Sequence, residues 1–149
     1  VVEKLEDAGP VDAIILGVKA HSRTQLAPQL SPLVTGNTTV ISMENGIPWW
    51  YFQLGAGEYT GLKIERVDPG GVIGKAFDPH RIVGSIVYLA TEIVEPGVIR
   101  HLEGNRITLG EPDGTKTERI RHIAQLHLRT AWYEQPPRAR RGSPLHLER

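Results

Sequence analysis

The sequence predicts an α/β fold: part of a doubly wound sheet that is extended by an antiparallel β-meander and followed by one helix. Two apolar runs, at 11–19 and 36–43, flank a segment with leucines at helical spacing, which is the strand–helix–strand order of a βαβ unit. Three strand-like runs rich in β-branched residues follow between 81 and 111, separated by glycine-containing turns. The last periodic segment, 113–128, places its isoleucines on one side of a helix.

The first two strands are predicted to be parallel neighbours joined by a right-handed crossover. The first run is continuously apolar from Ala13 to Leu16, which predicts a strand buried on both faces of the sheet. Pro28 and Pro32 interrupt the segment between the strands, so we expect a short or kinked helix there. The glycine-rich stretch at 55–71 is predicted to hold a loop and a short edge strand.

The second half of the chain is predicted from its turns. The sequence Glu-Pro-Gly at 95–97 and the sequence Glu-Gly-Asn at 103–105 are typical turn sequences, and they would divide this half into three antiparallel strands. Thr117 stands where a hydroxyl can cap the last helix.

Composition limits the class of protein. The chain has 149 residues, a formal net charge of zero and no cysteine. These values predict one modest domain without disulfides or thiolate metal sites, and give no indication of nucleic acid or an anionic membrane as partner. No apolar run approaches the roughly 20 residues of a membrane-spanning helix. The absence of cysteine favours the reducing cytoplasm.

We expect two regions along the chain. Residues 1–128 form the partial domain described above. Residues 129–149 have no periodicity, three prolines, and five arginines against two glutamates. We expect this segment to be a disordered basic tail, and a tail of this charge could also bind an acidic partner.

Polar residues follow both of the first two strands. Lys19 ends the first strand, and Asn45 and Gly46 follow the second. Ligands of doubly wound sheets bind beyond the carboxyl ends of the strands, so an anionic or nucleotide ligand could use the charge of Lys19 and the amide of Asn45. Gly46 would let the backbone approach such a ligand closely. The alternative is a simple Asn-Gly turn beside a solvated lysine, and these features alone leave both open.

Several segments resemble the ketopantoate reductase (2-dehydropantoate 2-reductase) family. They are GVKAHSRTQ, MENGIPWWYF, VDPGG, GSIVYLATEIVEPGVIRHLEGNRITLGEPDG and TERIRHIAQL, which run in the family's order between about 11 and 126. The resemblance implies a Rossmann-type domain that binds NADP(H), a small-molecule 2-oxo acid substrate, and the reduction of ketopantoate to pantoate in pantothenate biosynthesis. It also implies a cytoplasmic enzyme that could form homo-oligomers.

The resemblance assigns roles to particular residues. Lys19 matches the family lysine that contacts cofactor and substrate, and Asn45, with Gly46, matches the Asn-Gly motif beside the nicotinamide and the substrate. Ala90 falls near a position whose backbone contacts the cofactor. The aromatic run 49–52 is expected to pack beneath this site, with its tryptophans more suited to the core or an interface than to ligand contact.

Three family features are not in the sequence. The family's glycine-rich dinucleotide turn would precede Val1, and its catalytic lysine would follow Leu126, where no lysine occurs. The family's helical C-terminal domain, with its catalytic acid, is the third. We therefore assign no catalytic residue, and we expect an internal fragment of the family that is inactive by itself, as a shifted reading frame or a truncated gene model would produce. The alternatives are a non-catalytic half-Rossmann interaction module that uses its basic tail, and a reductase of another 2-oxo acid.

Overall fold

A computed structural model of the chain describes residues 2–55 and 57–127. The predicted tail at 129–149 lies outside the described residues. The described part contains four strands and three α-helices, with 3₁₀ turns between them. The strands are β1 (Ala13–Leu16), β2 (Thr39–Ser42), β3 (Ile82–Glu95) and β4 (Val98–Gly110), and the helices are α1 (Arg23–Leu30), α2 (Val72–Ala76) and α3 (Glu118–His127).

The strands form a single mixed sheet in the order β1-β2-β3-β4. β1 pairs with β2 and β2 with β3 in parallel, and β4 extends the sheet antiparallel to β3. Helices α1 and α2 cover one face of this sheet, and α3 packs against the other. This arrangement confirms the predicted α/β class, the parallel pairing of the first two strands and the antiparallel extension.

The predicted meander of three strands was wrong in one respect, because the extension is a long hairpin of two strands. The turn at 95–97 is present, whereas 103–105 lies inside β4. There the register shifts, so that Tyr88 pairs with Arg106 but Ala90 pairs with Glu103. Gly104 absorbs the extra residue with a φ of 76°, and the chain continues through a bulge without reversing.

The prediction that the first strand is buried on both faces was also wrong. Ile14 and Leu16 are buried, but the side chain of Ile15 between them is 58% exposed. β1 is an edge strand of the described sheet. The apolar cluster under α3 includes residues of β2, β3 and β4 but none of β1. All four residues of β2, by contrast, are buried, as a central parallel strand requires.

Helices α1 and α3 agree with their sequence patterns, whereas α2 was not predicted and the segment at 55–71 differs from its prediction. α1 is short, contains Pro28 and passes into a 3₁₀ turn. The hydroxyl oxygen of Thr117 accepts a hydrogen bond of 3.3 Å from the amide of Ile120, which is the predicted cap of α3. No edge strand forms at 55–71 among its described residues. Within the described part of the chain, no helix has the length and apolar character needed to cross a membrane.

Candidate functional site

The ends of β1 and β2 lie side by side at the carboxyl edge of the sheet. Leu16 is opposite Ser42, and the amide of Met43 donates a hydrogen bond of 3.0 Å to the carbonyl oxygen of Leu16. Lys19 is the third residue after β1 and Asn45 is the third after β2, so both follow their strands at the same edge. Both residues are exposed. The predicted juxtaposition of these two strand ends is thus present in the backbone.

Two clefts flank the segment that carries Asn45 and Gly46. One, the sheet cleft, has a volume of about 400 Å³ and lies between this segment, the first residues of β3 and the last residues of β4. The other, the helix cleft, has a volume of about 420 Å³ and lies between this segment, the start of α1 and the loop at 66–69. Asn45 and Gly46 line both clefts and therefore form the ridge that separates them.

A buried ion pair lies next to this ridge, between the start of α1 and the residue that precedes Asn45. Nη1 of Arg23, in the first turn of α1, is 3.1 Å from Oε2 of Glu44, and the two side chains are only 5% and 3% exposed. The contact lacks the alignment of a hydrogen bond. The guanidinium also lies over the ring of Trp49, with 5.3 Å between its carbon and the ring centroid.

Glu44 is the group at this edge whose pKa is clearly shifted. Burial raises the pKa of its carboxyl above the ordinary value of 4.5, while Arg23 and the hydroxyl of Ser42 act in the opposite direction. Its second oxygen, Oε1, has no hydrogen-bond partner among the described residues. The Ser85 hydroxyl and the Trp50 indole nitrogen are likewise buried and unpartnered in that part of the chain, and all three residues line the sheet cleft.

The aromatic run divides between core and cleft. Trp49 is buried, and its ring centroid is 6.1 Å from that of Phe77 in the core beneath the edge. This confirms the expected packing role for Trp49. Trp50 packs against the core as well, but it also forms a wall of the sheet cleft, where its indole lies directly over Gly84.

The last sequence-predicted residue, Ala90, lies away from both clefts, whereas two residues that were not predicted, Arg23 and Glu44, line them. Ala90 is exposed in the outer half of β3, pairs with Glu103 and lines neither cleft, so its cofactor contact stays a prediction. Arg23 and Glu44 were not predicted. Their signal in the sequence is weak: Glu44 directly precedes Asn45, and Arg23 is a charged residue in a segment of core leucines.

Comparison with known proteins identifies the relatives of this chain. A family model described as ketopantoate reductase PanE/ApbA matches residues 1–49. A 2-dehydropantoate 2-reductase of Mesorhizobium japonicum is 45% identical over 122 residues, which are 82% of this chain and 37% of that protein.

Two solved structures share the fold. A Ralstonia solanacearum protein provisionally assigned as a ketopantoate reductase superposes with a TM-score of 0.78 at 35% identity, over 83% of this chain and 38% of that one. A 2-dehydropantoate 2-reductase of Geobacter metallireducens superposes with a TM-score of 0.63 at 25% identity, over 83% of this chain and 35% of that one.

The fold and its polar carboxyl edge define a Rossmann-like α/β protein with a candidate ligand site at the strand ends. Together with the matches, they confirm the resemblance drawn from the sequence motifs, and the chain belongs to the ketopantoate reductase family. It spans 37% of the length of the curated relative.

Proposed function

We propose that this chain supplies part of the site at which a nicotinamide cofactor and a 2-oxo acid meet, in a reductase that converts 2-dehydropantoate to pantoate with NADPH. The observation that carries the proposal is the position of Lys19 and Asn45 after adjacent parallel strands. Asn45 lines both clefts, whereas Lys19 lines neither but directly precedes Ala20, which lines the helix cleft. A cation and an amide at the carboxyl edge of such a sheet suit an anionic nucleotide and a carboxylate substrate.

The residues at the edge fit a nicotinamide nucleotide. Each cleft falls within the range of about 300 to 1,000 Å³ that is usual for small-molecule sites. Gly46 has a φ of 102°, and no neighbouring atom lies within 4 Å of the position where a Cβ would stand, so a ligand can approach the backbone there. When bound at this edge, a nicotinamide cofactor would supply a hydride.

The side chains of this chain would orient the reactants. The ammonium group of Lys19 would neutralise the carboxylate of the 2-oxo acid or a cofactor phosphate. The amide of Asn45 would donate to the substrate carbonyl oxygen or accept from the nicotinamide carboxamide. Reduction adds a hydride to the carbonyl carbon and a proton to its oxygen, so a proton donor is also required.

We also propose that these 149 residues do not turn over substrate by themselves. The family resemblance implies a lysine as proton donor beyond Leu126, and the sequence from there to Arg149 contains none. The test is the loss of NADPH absorbance when the purified chain is mixed with 2-dehydropantoate and, separately, with a panel of other 2-oxo acids. No turnover is expected, and robust turnover would overturn this part of the proposal.

Cofactor choice needs a separate experiment. We expect saturable binding of NADPH, followed by its fluorescence, and NADH is titrated in the same way for comparison. Saturable binding without turnover would support the assignment of a partial reductase site. Absence of saturable binding of either nucleotide would contradict it. Self-association of the chain and a cytoplasmic location stay predictions, to be tested by sedimentation equilibrium and by cell fractionation.

A further inference from the structure

We propose that Arg23 is a positioning residue that ties the strand end carrying Lys19 to the strand end carrying Asn45. The proposal rests on the proposed function only in treating Lys19 and Asn45 as the site residues that are positioned. Its physical content is that one buried guanidinium contacts the neighbour of each site residue: Ala20 directly follows Lys19, and Glu44 directly precedes Asn45.

The contacts of Arg23 reach both strand ends at once. Its Nε donates a hydrogen bond of 3.1 Å to the carbonyl oxygen of Ala20. Its Nη1 is 3.1 Å from Oε2 of Glu44, an oxygen that also accepts a hydrogen bond of 3.4 Å from the hydroxyl of Ser42. The guanidinium thus makes a hydrogen bond to the segment after β1 and an ion-pair contact, without hydrogen-bond alignment, to the segment after β2.

The Arg23–Glu44 ion pair is not expected to add much to the free energy of unfolding. Removing two charges from water costs several kcal/mol per ion, and replacing a buried pair with apolar residues of similar volume is often neutral or stabilising. Nη1 of Arg23 and Oε1 of Glu44 also lack hydrogen-bond partners among the described residues. A pair of this kind is better suited to fixing the relative position of the segments it joins.

Two backbone hydrogen bonds report on the two strand ends. The amide of Ser22 donates to the carbonyl oxygen of Lys19 at 2.9 Å, and the amide of Met43 donates to that of Leu16 at 3.0 Å. If Arg23 holds both segments, its loss should loosen both bonds together. Val83, buried at 0% exposure in the centre of the sheet, reports on global unfolding instead.

The experiment is amide hydrogen exchange by NMR on the 149-residue chain. The variants are Arg23→Met and the double variant Arg23→Met/Glu44→Met, which replaces the pair with apolar side chains and should retain the stability of the fold. In both variants, we expect the protection of the Ser22 and Met43 amides against hydrogen exchange to fall by about tenfold relative to that of the Val83 amide. The control is Arg121→Met, which breaks the ion pair with Glu118 within α3, on the helix that packs against the other face of the sheet, and should leave that ratio unchanged.

Two outcomes would overturn the proposal. If the double variant keeps its global stability and the protection of Ser22 and Met43 is unchanged relative to Val83, Arg23 fixes nothing locally. If all three amides lose protection in proportion, Arg23 has a structural role only. Neither result bears on the proposed function, because no ligand is present in the experiment and nucleotide binding is measured separately.

Discussion

The packing of the Trp50 indole against Gly84, in the wall of the sheet cleft, can be tested by substitution. A Cβ added at Gly84 would lie 2.8 Å from Cη2 and 3.1 Å from Cζ2 of the indole. Carbon atoms pack best at about 3.5 to 4.0 Å, so the indole would have to move by up to roughly 1 Å. Overpacking of this kind costs about 1 to 3 kcal/mol, and the stiffer unfolded chain of an alanine variant returns about 0.4 to 1 kcal/mol. We therefore expect Gly84→Ala to lower the free energy of unfolding by about 1 to 2 kcal/mol.

Urea denaturation followed by tryptophan fluorescence measures this change. The double variant Gly84→Ala/Trp50→Phe shortens the ring that meets the new Cβ, and should be less destabilised than the sum of its single variants. Gly36→Ala is the matched control, since a Cβ there meets no atom within 4 Å. A neutral or stabilising Gly84→Ala, or strict additivity in the double variant, would refute the packing argument.

Two further predictions concern a carboxyl group and a bulge. Because burial raises the pKa of Glu44 above 4.5, the folded chain binds the carboxyl proton of Glu44 more tightly than the unfolded chain does. The free energy of unfolding of the wild type, relative to that of Glu44→Gln, should therefore fall as pH rises from 4.5 through the raised pKa, and then level off. Urea titrations of both proteins across this pH range measure the difference, and a relative stability of the wild type that rises with pH would contradict a raised pKa of Glu44. Gly104→Ala should cost more than Gly97→Ala, because both residues have positive φ but only the Cβ at Gly104 would overlap the carbonyl of Tyr88, whereas that at Gly97 meets open space. We expect a cost of about 1 to 2 kcal/mol at Gly97 and clearly more at Gly104, and equal shifts of their urea midpoints would contradict it.

The carboxyl edge of the sheet could be predicted from the sequence because it depends on local signals. Buried parallel strands have continuous apolar runs, and residues just past two such strands must lie at the same edge when the strands are neighbours. The same two signals predict that Lys19 and Asn45 follow their strands at one edge of the sheet, and the pairing of β1 with β2 agrees. The family motifs agreed with it, because they include the same two strand ends.

The rest of the site depends on long-range packing that leaves little trace in the sequence. The pairing of Arg23 with Glu44 joins residues from two different strand–loop junctions, and each alone resembles an ordinary surface charge. The sequence Glu-Gly-Asn at 103–105 suits a turn and a glycine bulge equally well, and only the pairing with β3 selects the bulge. The exposure of Ile15 follows from which helices cover β1, which its apolar run does not specify.

The most direct test of the proposed site is a titration of NADPH into the isotope-labelled chain, followed by NMR, for the wild type and for Lys19→Ala and Asn45→Ala. Lys4→Ala and Asn37→Ala serve as matched controls, since Lys4 is exposed and precedes the sheet and Asn37 precedes β2 at its opposite end. We predict saturable shifts confined to the two strand ends, an affinity about tenfold lower in each site variant, and no change in the controls. Shifts elsewhere, or equal affinity in all five proteins, would contradict the assignment of the carboxyl edge as the cofactor site.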